Sequence, residues 1–578
     1  MDEISKHQRH VASEQWAAPF KKKLQCSDDR YSRNGDIANI RSLALALFAS
    51  RNLNEVKSLN ILEIILEKLE TERANKTEFV NLQCVPLLIH HMAKNQESRD
   101  TQTISCQVLT SLSIDDETSQ TEIGIRSGIE ATVIALRKFN RDPIVCRAAF
   151  SALRNLGMVA DNRNQMIALG VLECIVDSLE HFIEDSILTE NAVATSARIV
   201  FGHRKARVAF GEMGGIALIT SVMQRYEFLS EIQGEAGLAI RNLAFQCSPN
   251  HSHMLKANTI NSLFRGLRIH ADNYSVANQM IAAIGNTISL DCDARQRVLD
   301  EKIYITQTFR TLTIYSSDIF TVRKLVTVLF HLCANDQRSN KSSSRTLSIC
   351  CTKEGLCSGI VEAMRTALKE DGAVLAKLAI IAHELCLEKT FKQKIGECYI
   401  INVLLKALAS SDSDILRDLL LCLIAVLSSS PENVQKFNGG RGCNIVLSVM
   451  RENGRNEDVV LQCCKTLDTV AEGNFLTSPQ FFSTKQEVAS VVFKAMKDFP
   501  EAALVQEHGC SLLIKIAGIS REECSQMVKV GVRDTVEMAR ATHSGNTVVE
   551  SLSTRLLSLL MSDHSLKKSR SVLETDVF

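Results

Sequence analysis

The sequence predicts an all-α chain, a solenoid of about 10–12 stacked three-helix repeats. Three observations carry that prediction. One landmark recurs every 43–44 residues over most of the chain, a second keeps a fixed distance from it, and each period contains a helical apolar rhythm. A chain of 578 residues also far exceeds a single compact core, so it has to be multidomain or an array.

The first landmark is visible in "AAFSALRNLGMV" and "GLAIRNLAFQ", which place Asn155 and Asn242 87 residues apart. Stepping by half that distance reaches Ser111, Arg198 and Asn286, then His331, Glu384, Val426, Thr469, Lys515 and Ser558. The steps are 44, 43, 44, 44, 45, 53, 42, 43, 46 and 43 residues, one outlier in ten. We call these positions rungs. The second landmark is a glycine, at Gly128, Gly170, Gly215, Gly442 and Gly531, always 27 or 28 residues before a rung.

Within a period the elements follow in order. "NRNQMIAL" reads as a short first helix that ends at Gly170, a residue suited to the left-handed cap conformation. "VLECIVDSLEHF" has apolar residues at helical spacing and forms the second helix. "LTENAVATSARIVFG" is a longer third helix, apolar almost all round, which requires burial against neighbours on both sides. One unit cannot cover that surface, so the units stack.

These boundaries divide the chain. Residues 1–34 are expected to be a disordered tail and 35–74 a degenerate pair of capping helices. Repeats fill 75–336 and, in more divergent form, 358–563. The 53-residue step is assigned to a serine-rich insertion loop over 337–357, and 564–578 to a second disordered tail.

The period, the three helices, the glycine before the second helix and the "ALRNL" of the third resemble the armadillo repeat, from about residue 75 to 562. The stretch "AMKDFPEAALVQEHGCSLLIKIAG" (495–518) is similar to a long-looped variant found in the armadillo repeat-containing protein 6 sub-family. The resemblance implies a right-handed superhelix whose third helices line a concave groove. It also implies that a rung asparagine uses its amide to hold the main chain of an extended partner segment.

Asn155, Asn242 and Asn286 are the leading candidates for that role, with internal capping as the competing reading. Arg198 stands at the rung between the first two. One turn earlier on the same face are Ser151, Ala194, Leu238, Ala282, Thr327, Lys465, Ser511 and Thr554. Nuclear-import adaptors of the family carry tryptophan there, so this chain is not expected to be a classical nuclear-localisation-signal receptor. Two turns earlier the row is polar: Asn191, Glu235, Gln279, Lys324, Lys377, Gln462, His508 and Ser551. Either a binding stripe or ordinary solvation explains that polarity, and we name Asn191, Glu235 and Gln279 as candidates. Arg154 lies about 100° round the helix from the groove line and is left out.

Composition narrows the function classes. Net charge is zero, which argues against a nucleic-acid binder. No run reaches the roughly 18–20 apolar residues of a membrane span, and "MDEISKHQRHVASEQW" lacks the apolar core of a signal peptide. Nineteen cysteines, mostly within apolar helices, fit a reducing compartment, and a cytoplasmic location is the expectation. His90-His91 and His251/His253 have no ligand-spaced partners, there is no C-x-x-C, and "NGGRGCN" (438–444) fits no phosphate loop. No cofactor, metal or catalytic constellation is expected. The basic cluster "FGHRKAR", with His203, Arg204, Lys205 and Arg207, reads first as a solvated ridge. The function expected is a non-enzymatic scaffold or adaptor that holds an extended partner segment. The alternatives are a structural component of a cytoskeletal or ciliary assembly and a regulator that docks a GTPase or chaperone domain.

Overall fold

The computed structural model describes residues 39–50, 55–289, 291–334, 340–353, 355–428, 430–472 and 479–573. Within them lie 34 helices and no strand. The chain divides into two compact units, residues 1–294 and 295–578.

The first unit opens with the pair Ile40–Ser50 and Glu55–Thr71, followed by five helix triplets. The third helices of those triplets are Arg99–Ser113, Pro143–Leu156, Ser186–Val200, Ser230–Ala244 and Tyr274–Ser289, and each packs on the next. The second unit repeats the plan, with third helices that include Gly372–Leu385, Ser413–Leu427, Glu457–Ala471 and Ala503–Ala517. Its last helix runs Thr547–Leu573, beyond residue 563 where the sequence reading began a tail. The expected tail over 1–34 and residues 574–578 lie outside the described residues.

Four local devices repeat along the chain. The first starts the third helix. Asp142, Asp185, Asp371 and Asn456 each stand thirteen residues before a rung and accept hydrogen bonds from the helix's opening N–H groups. For Asp185 the donor is the Leu188 N–H at 3.1 Å. Such a cap stabilises a helix by about 1 kcal/mol. Arginines of the preceding third helix pair with the same carboxylates: Arg147 with Asp185 at 2.6 Å and Arg323 with Asp371 at 2.7 Å.

The second device closes the second helix. Gln102, Gln233 and Gln506, nine residues before a rung and buried, donate to two carbonyls at that helix's C-terminal end. Gln233 Nε2 lies 2.7 Å from the Met223 oxygen and 3.1 Å from that of Tyr226. The third device joins successive first helices. Asn162, Asn250 and Asn433 are buried and each bridges two carbonyls, those of Arg207 (3.0 Å) and Leu243 (2.9 Å) in the case of Asn250. Opposite them stand Gly124, Gly211 and Gly396, where a Cβ would overlap the asparagine side chain.

The fourth device is the corner between first and second helices. Gly170 takes the expected left-handed conformation, φ +68°. Gly215 and Gly442 do not: Gly214 and Arg441 are the left-handed residues there, and Gly215 and Gly442 are the first residues of their helices. Those two glycines are needed for packing instead, because a Cβ would enter the rings of Phe210 and Phe437.

Two further expectations are corrected. The serine-rich segment is a helix, Asn340–Lys353, followed by the second helix Cys357–Glu370, with residues 335–339 outside the described set. Ser344, Leu347, Ser348 and Cys351 are fully buried on it. The long step arises mainly from a first helix of 14 residues where its neighbours have 9, while the second has 14 where they have 13 and 11. Serine composition suggested a loop, but an apolar spacing of 347, 350, 351 is helical. Val426, counted as a rung, is fully buried, and the cap position Asp412 puts the rung at Ala425.

Candidate partner-binding groove

In the first unit the third helices bring the predicted residues onto one face. Asn155, Asn242 and Asn286 occupy the same line, and their amides do the same thing. Each Nδ2 donates to the carbonyl just before the previous rung: Thr110 at 3.4 Å, Ala197 at 2.9 Å and Arg241 at 2.9 Å. The rung asparagines therefore staple neighbouring third helices, the internal role that competed with partner binding. A primary amide has a second N–H and an oxygen acceptor, so the staple does not exhaust its capacity. Asn242 is buried, while Asn155 and Asn286 are half-buried.

The charged residues form a network. Glu235 accepts from Arg154 Nη2 at 2.8 Å and from Arg198 Nη2 at 3.1 Å. Arg154 Nη1 also reaches Glu190 at 2.8 Å and the Asn191 oxygen at 3.3 Å. Arg241 donates to Gln279 at 3.2 Å. So Arg198, Asn191, Glu235 and Gln279 lie where the sequence placed them, and Arg154 and Glu190 join them unpredicted. The signal for Arg154 was present, since both "RNL" copies carry arginine. Its omission treated the Cβ direction as the side chain's, whereas a guanidinium on a flexible stem reaches round a helix.

Two hollows follow this face. One of about 470 Å³ is lined by Gln107, Thr110, Ser111, Ile144, Ser151 and Asn191 among others. The next, about 440 Å³, is lined by Arg154, Glu190, Arg198, Glu235, Leu238 and Gln279 among others. Ile114, Ile144 and Ile187 are exposed beside the first, giving the face apolar contact area between its polar groups.

At the edge of the same unit a second row is exposed: Ile114, Met158, Phe201 and Phe245, each three residues after a rung. Arg163 lies 5.7 Å over the Phe201 ring and Arg207 5.7 Å over Phe245. Both arginines also donate to carbonyls at the ends of third helices. Of the "FGHRKAR" cluster, Arg207 is turned in and buried, while Arg204 and Lys205 are exposed.

The second unit has a hub of opposite sign. Asp468, one residue before the Thr469 rung, accepts from His508 Nδ1 at 2.9 Å, Ser511 Oγ at 2.9 Å and Lys515 Nζ at 2.6 Å. Burial pushes its carboxyl up, but the hydrogen bonds from His508, Lys515 and Ser511 hold it below the usual carboxylate range. The trio of Ser511, His508 and Asp468 is not arranged for nucleophilic catalysis, because the serine directs its proton to the aspartate.

Of the histidines read from the sequence, His91 and His251 are buried in the core, while His90 and His253 are half-buried. His91 Nε2 meets the Leu47 carbonyl at 3.1 Å, and burial pulls its ring down to about 4. His251 Nε2 meets the Ala244 carbonyl at 3.2 Å. Among the described residues no three His, Cys, Asp or Glu side chains converge on a metal-sized space. No single described helix is long and apolar enough to cross a membrane. One bent pair, Arg204–Glu212 and Gly215–Arg225, passes on length and composition, and its apolar side is packed into the unit.

Comparison with known proteins locates this architecture. The description "LRRK2 ARM repeat" matches residues 396–575. A solved structure from work on a phosphorylation switch in the interaction between cadherin and beta-catenin superposes with a TM-score of 0.64. It is 14% identical, and the match covers 90% of this chain and 98% of that one. The fold is an armadillo-type solenoid. An engineered protein is similar at a TM-score of 0.59 and 16% identity, covering 76% of this chain and all of its own. At these identities the likeness concerns the fold alone. No curated protein sequence matches.

Proposed function

We propose that the chain is a non-enzymatic protein-interaction scaffold and that the groove face of its first unit holds an extended segment of a protein partner. The observation that carries this reading is the face itself. Two hollows lie in succession along stacked third helices, the first beside exposed Ile114, Ile144 and Ile187, the second lined by the half-buried guanidinium and carboxylate groups of Arg154, Arg198, Glu190 and Glu235. Half-buried, paired polar groups beside apolar contact area fix the direction and register of a bound chain. The beta-catenin likeness supports a protein partner, since that protein's interaction with cadherin is the subject of the matched structure. The likeness of 495–518 to the armadillo repeat-containing protein 6 sub-family and a cytoplasmic setting, which the placing of most cysteines in buried apolar helices favours, belong to the same reading.

The test is proximity labelling with the wild-type chain and with an Arg154→Ala, Arg198→Ala, Gln279→Ala variant whose helical content is unchanged. Loss of a discrete set of labelled proteins supports the groove. An unchanged set refutes it. A second reading, a structural component of a larger assembly, rests on the exposed edge row Met158, Phe201 and Phe245. It predicts loss with Phe201→Ser, Phe245→Ser and no loss with the groove variant.

A further inference from the structure

In the second unit, the corner between the first helix Asn340–Lys353 and the second helix Cys357–Glu370 brings two thiols together. Cys351 lies in the last turn of one helix and Cys357 is the first residue of the other. Their Sγ atoms are 3.9 Å apart, with Gly355 turning the backbone between them at φ +69°. Both side chains are buried, and neither belongs to the groove.

The two thiols are not equivalent. Cys351 donates its S–H to Cys357. That hydrogen bond, those from Thr352 and the backbone N–H at the helix start, and the Lys394 ammonium nearby pull the Cys357 thiol below its ordinary value, while burial opposes them. Burial pushes Cys351 up. Cys398, half-buried, interacts electrostatically with Cys357 at the same corner.

We propose that Cys351 and Cys357 are a redox modification site, closing to an intramolecular disulfide when the chain meets hydrogen peroxide. The Cys357 thiolate attacks the peroxide, the O–O bond breaks, and the leaving hydroxide takes a proton to become water. Cys357 is then a sulfenic acid. The Cys351 sulfur attacks it, an S–S bond forms, the S–O bond breaks, and the Cys351 proton leaves with that hydroxide as a second water. The two thiols lose two electrons and the peroxide gains two. A disulfide of about 2.0 Å requires the sulfurs to close by roughly half their separation, and the exposed Gly355 lies in the backbone that joins them.

The experiment treats the reduced full chain with hydrogen peroxide and maps unreduced tryptic peptides by mass spectrometry. Trypsin cuts after Lys353, so the bond joins the peptide 346–353 to the peptide 354–365. The expected result is that linked pair, two hydrogens lighter than the sum of its parts. It persists in Cys350→Ser and is absent in Cys357→Ser. In Cys351→Ser, Cys357 is trapped as a sulfenic acid by dimedone. Before oxidation, Cys357 is alkylated by iodoacetamide about tenfold faster than the buried Cys422. The proposal is overturned if the wild-type chain, with exposed Cys292 oxidised in the same sample, shows no 351–357 link. A link joining Cys357 to Cys398 overturns the pairing as well.

Discussion

Replacing Asn250 by alanine, alone and together with Gly211→Ala, tests the device that joins successive first helices. Asn250 is fully buried and donates to the carbonyls of Arg207 and Leu243. Truncation removes two hydrogen bonds, each about 1 kcal/mol net, and leaves the Leu243 carbonyl at a helix end without its donor, another 1–3 kcal/mol. The expected loss is about 3 kcal/mol. Gly211→Ala on its own adds a methyl that overlaps the Asn250 oxygen, with Ile216 Cδ1 3.4 Å away on another side. It has to displace the amide, so it forfeits the same bonds and costs about the same, despite a helix-propensity gain of 0.5–1 kcal/mol. In the double variant the methyl enters space already vacated. The losses therefore do not add, and the cycle shows a coupling of about 2–3 kcal/mol. Urea denaturation of the full chain, followed by circular dichroism and by hydrogen exchange of residues 204–256, reads the difference locally. Additive losses, or a harmless Gly211→Ala, would refute the steric and hydrogen-bond reasoning.

Other perturbations give equally definite outcomes. Asp468→Asn costs about 2 kcal/mol at pH 7, since it leaves His508 and Lys515 beside a neutral amide. Because the folded carboxyl is held below its unfolded value near 3.9, its stabilisation is present above that value and lost as pH falls through the lower folded one. The gap between wild type and Asp468→Asn in urea midpoint should shrink below about pH 4, and a gap unchanged at pH 3 would contradict the assignment. Ser344→Asp puts a charge at a fully buried helix position and should lower stability by at least about 2 kcal/mol. A neutral effect in thermal unfolding would restore the loop reading of that segment. Gly215→Ala should cost about 2 kcal/mol or more by forcing the Phe210 ring aside, and Phe210→Leu in the same chain should recover part of it.

Much of this architecture was legible because period and burial are one-dimensional signals. The rung spacing of Ser111, Asn155, Arg198, Asn242 and Asn286 follows from the need of each unit to bury a third helix against identical neighbours. Asn191, Glu235 and Gln279 were legible as groove-face positions because they recur on one line of an otherwise apolar helix. What escaped depends on reach and on partners in other units. Arg154 was assigned by its Cβ direction and proved to be the hub for Glu190 and Glu235. Asn162, Asn250 and Asn433 look like surface residues of short polar helices, and only the glycine opposite each reveals the contact. Val426 took the rung's place because two branched apolar residues, Ile424 and Val426, flank the small Ala425 and blur the register. The serine-rich helix was misread because composition outweighed the apolar spacing at 347, 350 and 351.

The proposed seat of an extended partner segment is the groove face of the first unit. A photo-crosslinking amino acid at Leu238, which lines the second hollow, addresses it directly in living cells. The expected crosslinks map to one short, continuous stretch of a partner, recovered equally from a crosslinker at Ser151 in the first hollow. Crosslinks from Leu238 and Ser151 that fall on unrelated proteins, or none from either while the Phe201 edge crosslinks efficiently, would contradict it.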